Sequence, residues 1–233
     1  YTLPSNTTGA NNTAVGGNAM FDNTTGSYCT AVGHEALANN TTANYNTAFG
    51  RYALYANTTG DVNTAVGAHA LDANTTGSGH VAIGNNALGS NTTGAECTAV
   101  GRGALFTNST GNYNVSMGLN SSYYNTTGSN NTAVGYACLN ANTTASHNTA
   151  VGYYALAANT IGEQNVALGY KALLTSTTAI RNTALGSQSL ELLTTGSYNT
   201  AVGYSALENN STGASNVSVG YKSLEANTVS DNT

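Results

Sequence analysis

The glycine of Asn12-Thr13-Ala14-Val15-Gly16 returns every seventeen residues, as Gly16, Gly33, Gly50, Gly67, Gly84 and onward to Gly220, with no insertion or deletion between them. A period this strict is a structural pitch. Ordinary domains scatter insertions through their loops, whereas stacked coils tolerate them only outside the wall. The consensus is Asn-Thr-Ala-Val-Gly-x-x-Ala-Leu-x-x-Asn-Thr-Thr-Gly-x-x, with positions counted 1 to 17 from Asn12.

What each position tolerates suggests its job. Position 4 is always bulky and apolar, with Val15, Val32, Val66, Val100, Val134 and Val151 joined by Phe49, Ile83, Met117 and Leu168. This column is expected to be buried. Position 2 is Thr or Val and shares its face by strand alternation. Position 3 admits only Ala or Ser on the opposite face, so something packs closely there. Position 8 is small, and position 9 supplies a second core column through Leu37, Leu54, Leu71 and Leu156.

Glycine at position 5, and usually at position 15, marks two corners where the backbone turns sharply or reaches positive φ. Asn-Thr-Thr before the second glycine suits a turn, because Asn tolerates the left-handed region and both side chains bond nearby backbone. No apolar spacing of three to four residues persists long enough for a helix. The expectation is an all-β parallel β-solenoid, or β-roll, of about fourteen 17-residue coils with two short strands per coil. It would form a single repeat domain over residues 1–233, about 65 Å long at one strand spacing per coil.

Two irregularities stand out. Ser122 occupies a position 9 where Leu belongs, predicting a small core defect relieved by Met117 and Leu139 from above and below. Ile161, Leu174, Ile180, Leu192 and Leu193 occupy places that are polar or small elsewhere, and read as a contact surface for another subunit.

Charged residues make up only 6% of the chain and the net charge is -5. Five Lys and Arg cannot neutralise a nucleic-acid backbone or form a patch for anionic lipid, and no apolar run reaches membrane-span length. Neither nucleic acid nor membrane insertion is expected. Cys29 and Cys97 share position 1 four repeats apart, which places them about 19 Å from each other, beyond disulfide reach. Cys138 stands where other coils hold Ala or Ser. His34, His69, His80 and His147 fall at four different positions, so they form no metal cluster and read as solvated surface residues. No carboxylate pair or nucleophile elbow is present, and neither an enzyme nor a cofactor is expected.

Asn-x-Thr or Asn-x-Ser at the second turn makes Asn6, Asn23, Asn40, Asn57, Asn74, Asn91, Asn108, Asn125, Asn142 and Asn210 formal glycosylation acceptors. The competing reading is that this turn stacks into Asn and Thr ladders. Steric spacing favours the ladders, since glycans on every coil would stand only about 4.8 Å apart. Tyr136, Tyr153 and Tyr170 share position 6. They either bind sugars or partner proteins or shield the corner backbone. Thr columns also admit an ice-binding solenoid as a third reading, weakened because adjacent Thr24 and Thr25 should point to opposite faces.

The phrase Asn-Thr-Ala-Val-Gly-Tyr-x-Ala-Leu, seen in its first seven residues from Asn131 to Ala137 and in full from Asn199 to Leu207, together with Asn-Thr-Thr-Gly, resembles repeats of bacterial and phage fibre proteins. It is similar to the head repeats of trimeric autotransporter adhesins, and closer to the longer repeats of tail-fibre-like proteins. The resemblance covers essentially the whole chain and implies an extracellular or virion-surface fibre, often a trimer of β-rolls. The functional expectation is therefore a structural fibre or filament protein for surface display or adhesion, with copies of itself as partner. The alternative is a carbohydrate-binding adhesin head or tail-fibre segment. The chain opens at position 7 and closes with Thr233 at position 1, so uncovered strand edges would allow copies to stack end to end.

Overall fold

The computed structural model describes residues 1–232. Its regular elements are thirteen three-residue strands, and no helix occurs among the described residues. The chain forms two compact units, Tyr1–Asn114 and Val115–Thr233. The first holds β1 (Thr13–Val15), β2 (Thr30–Val32), β3 (Thr47–Phe49), β4 (Thr64–Val66), β5 (Val81–Ile83) and β6 (Thr98–Val100). The second holds β7 (Val115–Met117), β8 (Thr132–Val134), β9 (Thr149–Val151), β10 (Val166–Leu168), β11 (Thr183–Leu185), β12 (Thr200–Val202) and β13 (Val217–Val219). Within each unit, successive strands pair in parallel and each residue faces the one a full repeat later, as in Thr47↔Thr64 and Val134↔Val151. This is the expected β-solenoid, with one strand per coil rather than two.

The remaining sides of the coil are turns that still bond to the next coil. Leu37 N–H donates to Ala53 O at 2.9 Å, and Thr24 N–H to Thr41 O at 2.9 Å. They are not strands because the backbone repeatedly enters the left-handed region. Position 7 does so at His69 (φ 57°), position 9 at Leu54 (φ 53°) and position 17 at Tyr45 (φ 58°), and each position repeats this along the chain. A left-handed non-glycine residue costs roughly 1–2 kcal/mol. At position 9 the cost is offset by full burial of Leu, which stabilises by roughly 1.5–3 kcal/mol.

The glycines differ in their reasons. Gly84 has φ +133°, and a Cβ on it would lie 2.7 Å from the carbonyl carbon of Gly101 in the next coil. Gly60 needs no unusual φ. A Cβ there would crowd Gly77 O and lie 2.6 Å from Asn57 Oδ1, so close approach favours glycine, although Ala43, Ala145 and Ala179 hold the same position in other coils.

The packing corrects the expected core. The column Val15, Val32, Val66, Val100, Val134 and Val151 lies on the outer face of the strands: Val15 is 56% exposed, as is Phe49, and Val32, Val66, Val100, Val134 and Val151 are half-buried. The inward strand residue is the alanine of position 3, with Ala31, Ala48, Ala65, Ala133 and Ala150 fully buried. Leu37, Leu54, Leu71 and Leu156 are buried as expected. Their side chains, with the small residues of position 8, already fill the apolar half of a narrow coil. Only a methyl group fits opposite them, and a larger side chain would overpack it.

The other half of the interior is amide. At position 1, Asn46 donates from Nδ2 to Gly60 O at 2.8 Å while its Oδ1 accepts the backbone N–H of Asn63 at 2.9 Å. At position 12, Asn57 donates to the same Gly60 O at 3.0 Å and to Asn40 Oδ1 at 3.2 Å. One inward carbonyl thus receives two amides, and both ladders bind successive coils. Buried amides are tolerable only when satisfied in this way. A third ladder joins half-buried threonines, as in Thr24 Oγ1 to Thr41 O at 2.9 Å.

The ladders also account for the sequon column. The side chains of Asn23, Asn40, Asn57, Asn74, Asn91, Asn108, Asn125, Asn142 and Asn210 are buried, so they belong to the wall and are not open acceptors. Asn6, in the first coil, is exposed and donates to Gly9 O. The ladder breaks once in the second unit, where Ser176 and Leu193 replace Asn. Asn159 Oδ1 and Ser176 Oγ, both buried, are left without partners.

The Ser122 coil is polar where its neighbours are apolar. Ser116 Oγ donates to Ser121 O at 2.9 Å, Ser121 and Ser122 are buried, and Met117 lies on the outer face at 42% exposure. Met117 therefore does not fill the Ser122 defect. Near the C-terminus one coil is a residue short: Asn232 N–H bonds Asn216 Oδ1 sixteen residues back, taking the place of position 1. Thr233, the expected holder of that position, lies outside the described residues.

Candidate interaction surface

The outward strand face departs from a polar surface. Position 4 presents Val15, Val32, Phe49, Val66, Ile83 and Val100 in the first unit. In the second it presents Met117, Val134, Val151, Leu168, Leu185, Val202 and Val219. Exposures reach 56% at Phe49, 49% at Leu168 and 68% at Val219. Position 2 runs beside it with Thr, replaced by Val81, Val115, Val166 and Val217. In-register pairing makes each an unbroken column within its unit at about 4.8 Å per step. The column varies in bulk, from Val66 to Ile83 in adjacent strands and from Met117 to Val134. Sequence reasoning missed this surface by equating apolar with interior. The available signal was size: position 3 admits only Ala and Ser, whereas position 4 accepts anything from Val to Phe.

The expected contact surface around Ile161 separates into different environments. Ile161 and Leu192 are exposed, Leu174 and Ile180 are half-buried, and Leu193 is fully buried in the interrupted amide ladder. Leu193 is therefore a core residue, with its Cδ1 2.8 Å from where a Cβ on Gly196 would sit.

Tyr136, Tyr153 and Tyr170 form one stack, with centroids 5.1 and 5.5 Å apart and planes within 14° and 10°. Tyr28 and Tyr45 stack likewise at 5.1 Å. A sugar packs on an aromatic face, and a ring inside a stack has both faces covered by its neighbours. Tyr153 therefore offers only its edge and hydroxyl outward, which suits the corner-shielding reading, whereas Tyr136, Tyr170, Tyr28 and Tyr45 each have one face in a stack.

The buried polar groups are structural. His80 is 1% exposed, which corrects its reading as a surface histidine. It replaces Asn at position 1 and reproduces both amide bonds: Nε2 lies 2.6 Å from Gly94 O, and Nδ1 accepts the Cys97 N–H at 3.2 Å. This pairing requires the neutral ring with its proton on Nε2, and burial pushes the pKa below its usual value. Cys29, Cys97 and Cys138 are free and buried. Burial raises all three thiols, Cys97 to about 11 and Cys138 to about 12, so none is a thiolate near neutral pH. Among the described residues, no group of three or more His, Cys, Asp or Glu could hold a metal, and no helix is long and apolar enough to cross a membrane.

Comparison with protein-family models, curated proteins and solved structures gives no match to this chain.

Proposed function

We propose that this chain is a structural fibre protein whose copies associate side by side through the outward strand face, serving extracellular display or adhesion. The supporting observation is the outward column of apolar side chains along each unit, exposed at Val15, Phe49, Ile83, Met117, Leu168 and Val219 and half-buried between them. Contiguous apolar surface rimmed by polar residues marks an interaction site more often than free surface. Its uneven height, with Phe49 between Val32 and Val66, suits interdigitation with a protein surface. The same unevenness disfavours ice, which calls for ranks of uniform height, and the low charge leaves little to repel a second copy.

The test is sedimentation velocity of the full chain and of the double variant Val134→Asp, Val202→Asp. The wild type is expected to sediment as an oligomer, and the variant as a monomer with unchanged circular dichroism. A wild type that stays monomeric at high concentration, or a variant that assembles equally well, contradicts the proposal.

A further inference from the structure

Away from the strand face, the first unit carries a cleft of about 120 Å³ lined by Asn18, Phe21, Glu35, Ala38, Asn39 and Tyr55. Its origin is a size pattern at position 10. Phe21, Ala38 and Tyr55 succeed one another in three consecutive coils, so the small residue leaves a notch between two aromatic ones. Two coil steps separate the aromatic positions by about 9.6 Å. A flat aromatic guest in van der Waals contact on both sides would need only about 7–8 Å. The space over Ala38 therefore admits one six-membered ring beside the two aromatic side chains.

The floor is held by the backbone. Asp22 N–H donates to Ala38 O at 2.8 Å and Asn39 N–H to Tyr55 O at 3.1 Å, tying the three coils together. Tyr55 is braced by an edge contact with Tyr52 at 5.4 Å. The polar lining is a carboxylate and two amides. Glu35 lies 3.9 Å from His34 at its nearest approach, and the side-chain amides of Asn18 and Asn39 have no hydrogen bond within the chain among the described residues.

We infer that this notch binds one ring of a neutral hexose. Phe21 and Tyr55 would supply apolar surface for the C–H faces, as aromatic residues do for sugars. Glu35 would accept hydrogen bonds from vicinal hydroxyls, and the Asn18 and Asn39 amides would both donate and accept. The lining holds one negative charge and no cation, which selects against uronic and other acidic sugars. The site does not depend on the fibre reading, because it lies outside the strand face.

The test is saturation-transfer NMR with calorimetric titration of the intact chain, using the methyl glycosides of glucose, galactose, mannose and N-acetylglucosamine, with glucuronic acid as acidic control. At least one neutral sugar is expected to saturate with a Kd on the order of 1 mM. Ala38→Leu fills the notch with a residue that Leu174 already places at position 10, and is expected to weaken binding at least tenfold with unchanged Tm. Phe21→Ala should weaken it similarly. Repeating the titration on Val134→Asp, Val202→Asp separates this proposal from the assembly proposal, since binding should survive there. Three results would each overturn the inference: no saturable neutral sugar, equal binding by Ala38→Leu, or an Ala38→Leu effect confined to self-association.

Discussion

Leu54 and Phe49 belong to the same coil and give opposite answers under the expected and the observed core. Leu54 is fully buried between Leu37 and Leu71 of the adjoining coils. Its N–H is fixed to Ala70 O at 2.9 Å, and the Leu37 N–H to Ala53 O at 2.9 Å. These inter-coil bonds keep the neighbours from collapsing into the space left by truncation. Leu54→Ala should therefore fall in the middle to upper part of the usual range, about 3–4 kcal/mol. Phe49 is 56% exposed, so its truncation forfeits less than half the benefit of a buried ring, about 1 kcal/mol. The assay is urea unfolding followed by far-ultraviolet circular dichroism, at a dilution where the chain is monomeric. Hydrogen exchange at the Ala53 and Asn57 amides provides a local readout if unfolding of the repeats is not two-state. Equal or greater loss from Phe49→Ala in the monomer would refute the assignment of inner and outer faces.

Three further outcomes follow from the ladders and turns. Gly84→Ala brings a Cβ within 2.7 Å of the Gly101 carbonyl at φ +133°, and should lower stability by about 3 kcal/mol or more in the same unfolding assay. Ser176→Asn restores a donor to the unpartnered Asn159 Oδ1, and should stabilise by about 1 kcal/mol, seen as a Tm rise of roughly 2–4 °C. His80 has a folded-state pKa below its unfolded value because burial penalises the charged ring. Its contribution is therefore full above the unfolded pKa of about 6.5 and is lost as pH falls toward the folded pKa, because the unfolded chain takes the proton first. A protonated Nδ1 would also face the Cys97 N–H without an acceptor, although the Gly94 carbonyl and, to a smaller extent, the Glu96 carboxylate oppose the shift. His80→Asn should gain on the wild type as pH is lowered from 7.5, and parallel pH profiles would contradict this.

The coil, its parallel stacking and the pairing of Thr13 with Val15 on one face follow directly from a period without slips and from strand alternation. Which face turned inward did not follow from hydrophobicity. Ala14 and Val15 are both apolar, and the choice depends on how much space Leu of position 9 leaves across the coil. Tolerance of size would have decided it, because a wall position held to Ala or Ser is confined and one spanning Val66 to Phe49 is open. Buried amides were equally hidden: Asn57 reads as a turn residue or a glycan acceptor until the inward carbonyl of Gly60 appears beside it. His80 reads as a surface residue until its ring is seen occupying an amide's place. The Phe21, Ala38, Tyr55 notch depends on three residues seventeen apart becoming neighbours, which is visible only once the coil is drawn.

Thiol labelling at two adjacent strand positions tests the central claim most directly. In a background with Cys29 and Cys97 replaced by Asn and Cys138 by Ala, as other coils have at those positions, Ala150→Cys and Val151→Cys are each exposed to a maleimide across a dilution series. The thiol at position 151 should label rapidly when the chain is dilute and become protected as copies assemble, while that at position 150 stays protected throughout. Faster labelling at position 150, or a position 151 equally open at every concentration, would contradict the account.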